Sequence, residues 1–214
     1  MDQQYGPTDI SARILTHLRL AGVDVQALTR EDLVSFDEFH GGGQESTRTL
    51  ARLAKLEPRM RVLDLGCGIG GPARTLAAEF GCRLTGIELT YEFYRAAEML
   101  TAKLGLSHLV QFRHGGAAAM PFDDAAFDVV WSQNSLMNIA DKGSPLRQIH
   151  RVLRVGGRFA FQTMLAGEVP GLHFGVLGIG VVVLAQALEK TANVRRNYEE
   201  GRMVAVQAVY AKVV

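Results

Sequence analysis

The stretch Val62-Leu63-Asp64-Leu65-Gly66-Cys67-Gly68-Ile69-Gly70-Gly71 decides the fold of this chain. It predicts a short buried strand that breaks into a glycine-rich turn and then a helix. Pro72 falls in the first helical turn, where its missing N–H costs little. Farther along, residues 83–88 predict a second strand ending in Glu88, whose carboxylate can accept both hydroxyls of a ribose. The pattern therefore predicts a nucleoside-containing cofactor.

Three cofactor classes compete for this loop. A dinucleotide fold needs the spacing G-x-G-x-x-G, whereas the spacing here is G-x-G-x-G-G. A P-loop needs a Gly-Lys-Ser/Thr ending, which this stretch lacks. Asp64, just before the loop, suits a ligand with a positive ammonium group better than a phosphate, because like charges repel. On the loop alone, a plain turn between strand and helix with no ligand stays open.

Size and composition restrict the class of protein. The 214 residues are 48% hydrophobic and 21% charged, which suits one globular domain with a sizeable core. The net charge of +1 gives no broad basic surface for nucleic acid. Cys67 and Cys82 are too few for a disulfide framework or a metal cluster, so we expect no metal site. The polar start of the chain is unlike a signal peptide, which makes a cytoplasmic location the default expectation.

One apolar run, residues 174–185, invites a membrane interpretation. It is shorter than the roughly 18–20 residues that a helix needs to cross a bilayer. We therefore expect a buried segment and no membrane span.

Strands and helices alternate along most of the chain. Amphipathic helices are predicted at 9–21 and 45–56, strands at 61–65, 83–88, 109–113, 127–132 and 158–163, and further helices at 72–80, 91–104 and 144–153. This alternation predicts an α/β fold with a doubly wound, Rossmann-like, mostly parallel sheet. Ligands bind at the carboxyl ends of such strands. Gly66, Glu88, Gly115-Gly116 and Ser132-Gln133 all fall there.

Several further motifs occur in a fixed order. They are Phe36-Asp37-Glu38-Phe39-His40-Gly41-Gly42, the glycine loop, Gly86-Ile87-Glu88-Leu89-Thr90, Ala119-Met120-Pro121-Phe122, Phe127-Asp128-Val129-Val130-Trp131-Ser132-Gln133, Met137-Asn138-Ile139-Ala140-Asp141-Lys142 and Arg151-Val152-Leu153-Arg154-Val155-Gly156-Gly157-Arg158. As a set they resemble class I S-adenosylmethionine-dependent methyltransferases that act on small molecules. That group includes sarcosine/dimethylglycine, tocopherol and ubiquinone/menaquinone-biosynthesis methyltransferases. The resemblance covers about residues 5–167.

The resemblance implies a role for each residue around the cofactor. Gly66, Gly68 and Gly70, with Cys67 between them, are expected to contact its methionine part. Glu88 is expected to hold the ribose, and Leu89 is expected to pack on the adenine.

The chain departs from the family at the next strand. Relatives have Gly-Asp-Ala there, and the Asp accepts from the adenine amino group, whereas this chain has Gly115-Gly116-Ala117. Gly116 and Ala117 are therefore expected to bind the adenine without a carboxylate. Losing one such hydrogen bond costs about 0.5–1.5 kcal/mol, which implies weaker cofactor binding rather than its loss.

The acceptor side is polar but has little acid–base chemistry. Gln133 is expected near the methionine end of the cofactor, with Asn134 and Asn138 at the mouth of the site. Relatives often carry His at one of these two positions, and Asn does not act as a base at neutral pH. His40 is the leading candidate for a catalytic base, with a structural role still open, and Tyr5 is a weaker candidate for lining the pocket. Methyl transfer from a sulfonium depends mainly on positioning, because the leaving group is neutral.

We expect an N-terminal helical cap at 1–56, a cofactor-binding core at 57–167 and the C-terminal part of the same domain at 168–214. The last twelve residues, 203–214, predict a final strand. The family layout implies a further helix and strand near Phe174-Gly175, so that an inner C-terminal strand is missing and a further segment belongs there.

Together these features predict an enzyme that transfers a methyl group from S-adenosylmethionine to a small-molecule acceptor. Nitrogen or oxygen is favoured over carbon as the methylated atom. The alternative is a scaffold of the same fold that holds the cofactor and catalyses a cyclisation or only binds a ligand. Nucleic acid is not expected as a partner, because the sequence has no basic stripe, and the oligomeric state stays open.

Overall fold

The computed structural model describes residues 10–38, 40, 42–166 and 203–213. Its helices are α1 (Ile10–Leu20), α2 (Gly43–Leu53), α3 (Gly71–Phe80), α4 (Tyr91–Lys103) and α5 (Gly143–Val152), with 3₁₀ turns at Glu31–Leu33 and Leu136–Asn138. Its strands are β1 (Arg61–Leu65), β2 (Arg83–Glu88), β3 (Val110–His114), β4 (Phe127–Gln133), β5 (Leu153–Ala166) and β6 (Met203–Ala211). The predicted elements are all present, most within one or two residues of their expected bounds.

The six strands form one sheet in the order β3-β2-β1-β4-β5-β6. The first five are parallel, and β6 runs antiparallel to β5. Successive side chains of a strand point to opposite faces, so Val62 of β1 joins a core with α2 and α3, whereas Leu63 joins a core with α5. Because helices cover both faces, the doubly wound α/β fold is confirmed.

Helix α2 and strand β5 differ from the sequence-based expectation for reasons that the structure shows. Helix α2 begins at Gly43 rather than at residue 45, because Gly42 in the left-handed region turns the chain directly into the helix. Strand β5 is longer than expected at both ends. Its second half pairs with β6 over nine registered positions, and these bonds keep the chain extended up to Ala166.

The C-terminal strand bears on the expected missing inner strand. Within the described residues, β6 hydrogen-bonds directly to β5 with no strand between them. The further helix and strand that the family layout implies stay predictions, because residues 167–202 lie outside the described ranges. The junction near 174–175, the apolar run 174–185 and Tyr5 lie outside the described residues.

The residues in the described ranges include no helix with the length and apolar character that a membrane crossing requires.

A buried ion pair joins the N-terminal segment to the core. Arg74 of α3 is fully buried and donates to the carboxylate of Asp37 and to Thr101 Oγ1 of α4, 3.0 Å away. Burial raises the pKa of Asp37 even though the charge of Arg74 opposes the shift. The backbones of the two segments also lie close together, since a Cβ on Gly71 would lie 1.9 Å from the carbonyl oxygen of Asp37. The cap is thus fixed to the first turn of α3.

Removing one partner of this pair is expected to destabilise the protein strongly. Arg74→Met leaves the Asp37 carboxylate buried without its cation, and such a change lowers the free energy of unfolding by about 3–5 kcal/mol. Adding Asp37→Leu to the same chain should recover most of the loss, because the buried charge is then gone. Urea unfolding of the single and double variants measures both effects.

The matched control is Arg95→Met, which breaks the exposed Arg95–Glu98 pair of α4. We expect this change to alter the free energy of unfolding by less than about 0.5 kcal/mol. A loss of equal size in the Arg74 and Arg95 variants would contradict a special role for the buried pair.

Candidate functional site

A cavity of about 570 Å³ opens at the carboxyl ends of β1, β2, β3 and β4. The sequence-predicted site residues that line it are His40, Gly66, Cys67, Gly68, Glu88, Leu89, Gly116, Ala117, Gln133, Asn134 and Asn138. Gly70 is absent from this lining. The fold therefore brings together, at one edge of the sheet, residues that are up to 98 positions apart in sequence (from His40 to Asn138).

Each glycine of the loop lacks a side chain for a different structural reason. Gly68 has φ +56°, and a Cβ added there would meet no atom within 4 Å, so this residue faces open space in the cavity. A Cβ on Gly66 would lie 2.4 Å from Cβ of Ser135, so its glycine admits Ser135. Ser135 in turn donates to the carbonyl oxygen of Leu65 over 2.7 Å and fixes the turn after β4 against β1.

Gly70 has a packing role in place of the expected cofactor contact. It precedes α3 with φ +87°, and a Cβ there would lie 2.7 Å from the ring of Phe112 and 2.8 Å from Nη1 of Arg74. The cavity does not reach it, because these two side chains fill the space beside it.

Glu88 ends β2 with its carboxylate held in place by the backbone. Oε2 accepts from the N–H of Gly68 and Oε1 accepts from the N–H of Thr90, both over 2.9 Å. Each carboxylate oxygen has a second acceptor site, so the group can still bind two hydroxyls. Beyond it lie Leu89, which is 71% exposed, and Gly116 at the end of β3.

Asp64 lines the same cavity and is almost completely buried. Its Oδ2 atom has no hydrogen-bond partner among the described residues. Burial, reinforced by the nearby carboxylates of Glu88 and Glu38, raises the pKa of Asp64 to about 8. A buried acceptor without a donor is uncommon in native proteins and indicates a missing cationic or hydrogen-bonding ligand.

His40 belongs to a buried network in the cap. Its Nε2 lies 3.1 Å from Oε2 of Glu38, and the same oxygen accepts from the Thr47 hydroxyl over 2.6 Å. The Thr75 hydroxyl donates to Oε1 of Glu38 over 2.7 Å. Burial raises the pKa of Glu38, but these hydrogen bonds and the charge of His40 outweigh it and leave the pKa below its usual value. An ionised Glu38 only accepts, so Nε2 of His40 carries the hydrogen in this contact.

A row of three buried glutamines connects this network to the sheet. Gln133, Gln162 and Gln207 lie in register on β4, β5 and β6. Gln207 Nε2 donates to Gln162 Oε1 over 2.7 Å and to the carbonyl oxygen of Ser46 on α2 over 2.9 Å. The indole of Trp131 donates to Gln133 Oε1 over 2.9 Å, which fixes the orientation of that amide. The row therefore holds α2 of the cap against three strands.

The two asparagines lie at the mouth of the cavity. Asn134 has φ +54°, and its N–H donates to the carbonyl oxygen of Gln162 over 2.8 Å. Its side-chain Oδ1 is buried and has no partner within the described part of the chain. Asn138 is exposed and ends the 3₁₀ turn, where its Nδ2 lies 3.4 Å from the carbonyl oxygen of Asn134.

Sequence reasoning did not place several residues in the site: Asp37, Thr90, Phe93, Ser135 and Ile139 also line the cavity. Asp64 lines it as well, in agreement with the interpretation of the carboxylate before the glycine loop. Gln162 and Gln207 were recognisable as single polar residues inside otherwise apolar strands. In the described ranges no three His, Cys, Asp or Glu side chains converge in a way that suits a metal ion.

Known proteins share this arrangement. Residues 63–161 match the family model described as a methyltransferase domain. The chain is 36% identical over 130 residues to sarcosine/dimethylglycine N-methyltransferase of Halorhodospira halochloris, covering 58% of this chain and 47% of that protein. It is 35% identical over 161 residues to 27-O-demethylrifamycin SV methyltransferase of Amycolatopsis mediterranei, covering 71% and 59% respectively. Over this part of its length the chain is therefore similar to named methyltransferases.

The chain spans about half of the length of these curated relatives. A solved structure, that of the [4+2]-cyclase SpnF, superposes with a TM-score of 0.72 at 20% identity and covers 96% of this chain and 94% of the cyclase. At this identity the likeness concerns the fold alone.

The residues of the cavity fit S-adenosylmethionine, the cofactor that the sequence motifs predict. Oδ2 of Asp64, which has no partner among the described residues, suits the ammonium group of the methionine part. The carboxylate of Glu88 has the acceptor sites that a ribose needs. The individual residue contacts to the cofactor stay predictions, and the open face of Gly68 leaves room for one of them.

Asp64→Asn is expected to stabilise the ligand-free protein at high pH and to weaken cofactor binding. The pKa of the Asp64 carboxyl is higher in the folded protein than in the unfolded chain. The protonated carboxyl therefore contributes stability that is fully present below about pH 4 and is lost as the pH rises to about 8. The free energy of unfolding of the variant should therefore exceed that of the natural chain by about 1–3 kcal/mol near pH 9, with little difference near pH 4. Affinity for S-adenosylmethionine should rise with pH through about 8 only in the natural chain.

Asp128→Asn serves as the control with the opposite sign. Burial raises the pKa of Asp128, but the Arg61 N–H and the Arg154 side chain outweigh it and keep the pKa low. This variant should be less stable than the natural chain near pH 9. Urea unfolding and calorimetric titration measure these effects. Equal cofactor affinity in Asp64→Asn and the natural chain would contradict the ammonium assignment.

Proposed function

We propose that the chain transfers the methyl group of S-adenosylmethionine to an oxygen or nitrogen of a small acceptor bound beside Asn134 and Asn138. The observation that carries the proposal is that two residues lining one cavity, Asp64 and Asn134, each have a buried oxygen, Oδ2 and Oδ1 respectively, with no partner in the part of the chain that the structure describes. The first suits the cofactor ammonium. The second suits an O–H or N–H group of the acceptor.

The positions of the two oxygens support this division. Asp64 belongs to β1 and Asn134 directly follows β4, and these strands are neighbours in the sheet. The glycine turn lies between them at the same edge, so a methyl donor held by Asp64 lies next to a group held by Asn134. Cofactor and acceptor are then held side by side, which supplies much of the rate of a two-substrate transfer.

Positioning carries more of the proposed reaction than acid–base chemistry. The cofactor supplies an electrophilic methyl group on a sulfonium, whose leaving group is neutral. Nε2 of His40 donates to Glu38, and the Glu38 carboxylate is held by two hydroxyls. Asn134 and Asn138 orient an acceptor by hydrogen bonds without taking its proton. His40 contributes a fixed wall of the acceptor side through this network.

The side chain of Asn134 favours an oxygen or nitrogen acceptor, whereas the relatives as a group include N-, O- and C-methyltransferases. The two relatives described above are named for N-methylation of sarcosine and dimethylglycine and for a demethylrifamycin O-methyltransferase. An asparagine oxygen without a partner matches an acceptor that bears an O–H or N–H donor.

Asn134→Gly is expected to impair acceptor use while cofactor binding persists. Glycine keeps the positive φ of this position but removes the side-chain oxygen. We expect kcat/KM for the acceptor to fall about 10-fold or more and the Kd of S-adenosylmethionine to change by less than about 2-fold. The assay follows S-adenosylhomocysteine formation with a panel of phenols, alcohols and secondary amines.

Ala125→Gly is the matched control, since Ala125 also has positive φ, 56°, and lies away from the cavity. It should leave kcat/KM unchanged. If kcat/KM of Ala125→Gly fell as far as that of Asn134→Gly, backbone freedom, and not the lost oxygen, would be the cause of the effect.

A second candidate is a cofactor-holding scaffold that catalyses a cyclisation or only binds a ligand. The superposition with a [4+2]-cyclase and the absence of a basic group beside Asn134 and Asn138 among the described lining residues favour it. The same assay separates the two candidates. A scaffold binds S-adenosylmethionine but forms no S-adenosylhomocysteine with any member of the acceptor panel.

A further inference from the structure

We propose that the base end of the cofactor cavity accepts S-adenosylmethionine analogues with an apolar substituent on the exocyclic nitrogen of adenine, N6. This inference rests on the proposed function, because it takes the cavity to hold the cofactor of a methyl transfer. It concerns which nucleoside the cavity selects, and not the acceptor.

The direction of the cofactor follows from the order of the strands. The ends of β1, β2 and β3 lie side by side along one edge of the sheet. Asp64 of β1, with its buried unpartnered oxygen, takes the ammonium end, and Glu88 at the end of β2 takes the ribose. The base therefore extends toward the end of β3, where Gly115 N–H donates to the carbonyl oxygen of Glu88 over 2.9 Å.

The wall at this end has almost no side chains. The five residues Gly115-Gly116-Ala117-Ala118-Ala119 carry nothing larger than a methyl group. A Cβ added to Gly116 would meet only Leu89, at an ordinary contact distance of 3.5 Å. Ala118 and Ala119 are exposed to solvent. A group projecting from the base edge therefore meets no bulky side chain from this segment.

The same segment has no charged or hydrogen-bonding side chain. The carboxylates that line the cavity lie elsewhere, at β1, at the end of β2 and in the cap. Recognition of the base here rests on backbone groups and apolar contact. A substituent on N6 replaces one of its two hydrogens, so it removes no partner that a side chain of this segment provides.

The outer rim offers an apolar surface for such a substituent. Leu89 is 71% exposed, and Tyr91 beside it is 54% exposed. The ring of Tyr91 packs edge-on against His114 at a centroid distance of 5.4 Å, and Nε2 of His114 lies 2.9 Å from the carbonyl oxygen of Leu89. The rim is therefore fixed in place. Covering its exposed apolar area gives a favourable contribution to binding.

The experiment compares the Kd of S-adenosylmethionine with that of its N6-benzyl analogue by calorimetric titration of the full chain. We expect the two values to agree within about 3-fold in the natural chain. Gly116→Leu places a branched side chain on the open wall. It should raise the Kd of the analogue about 30-fold or more relative to the Kd of S-adenosylmethionine. Ala117→Leu provides a second narrowing variant, because Ala117 also lines the cavity, and thermal unfolding checks that both variants fold.

Ala102→Leu is the matched control, because Ala102 is an exposed residue of α4 outside the cavity lining. It should keep the ratio of the two Kd values. An analogue that binds about 30-fold more weakly than S-adenosylmethionine in the natural chain overturns the proposal. So does an unchanged ratio in both narrowing variants. Failure of both ligands to bind the folded natural chain instead refutes the proposed function.

Discussion

Three carboxylates that share one small buried region determine how the rest of this structure is built. Asp64, Glu88 and Glu38 surround the glycine turn, and the charges of Glu88 and Glu38 both act on Asp64. Burying several like charges is unfavourable unless each one gains hydrogen bonds or a cation. Much of the structure around the cavity serves to meet that requirement.

Each carboxylate is stabilised by a different device. The backbone N–H groups of Gly68 and Thr90 hold Glu88, and this requires a turn that brings both of them to the end of β2. Two hydroxyls and His40 hold Glu38, which requires the cap to lie against α2 and α3. Asp64 receives no such partner among the described residues, and a bound cation is the partner that this arrangement lacks. All three carboxylates are therefore stabilised only when the ligand is bound.

The sequence was sufficient for the fold because its strongest signals are local. The glycine turn after an apolar strand, and the alternation of strands and helices, follow from backbone sterics and burial within a few residues. The strand ends then determine which residues meet, so Glu88, Gly116, Gln133 and Asn134 reach one cavity as expected. Short sequence motifs and the order of the strands are therefore enough to predict which of these residues line the cavity.

The remainder of the site depends on contacts between distant parts of the chain. Gly70 was expected at the cofactor because it belongs to the motif, yet Phe112 and Arg74 occupy the space beside it. The direct pairing of β6 with β5 likewise joins parts of the chain that are far apart in sequence. The sequence does not show which group His40 contacts, and only the folded cap places its Nε2 beside the carboxylate of Glu38. Such outcomes depend on packing, which no single motif encodes.

The glutamine row has a consequence for the order in which the protein is made. Ser46 and Gln207 are hydrogen-bonded although 161 positions separate them in sequence. On the ribosome, α2 is synthesised long before β6, so it lacks this anchor until β6 has emerged. Closing so long a loop carries a large entropic penalty before any contact compensates for it. The glycine turn between β1 and α3 has partners no farther along the chain than Ser135, so it can form before β6 is made, whereas the acceptor side of the site cannot be completed until then.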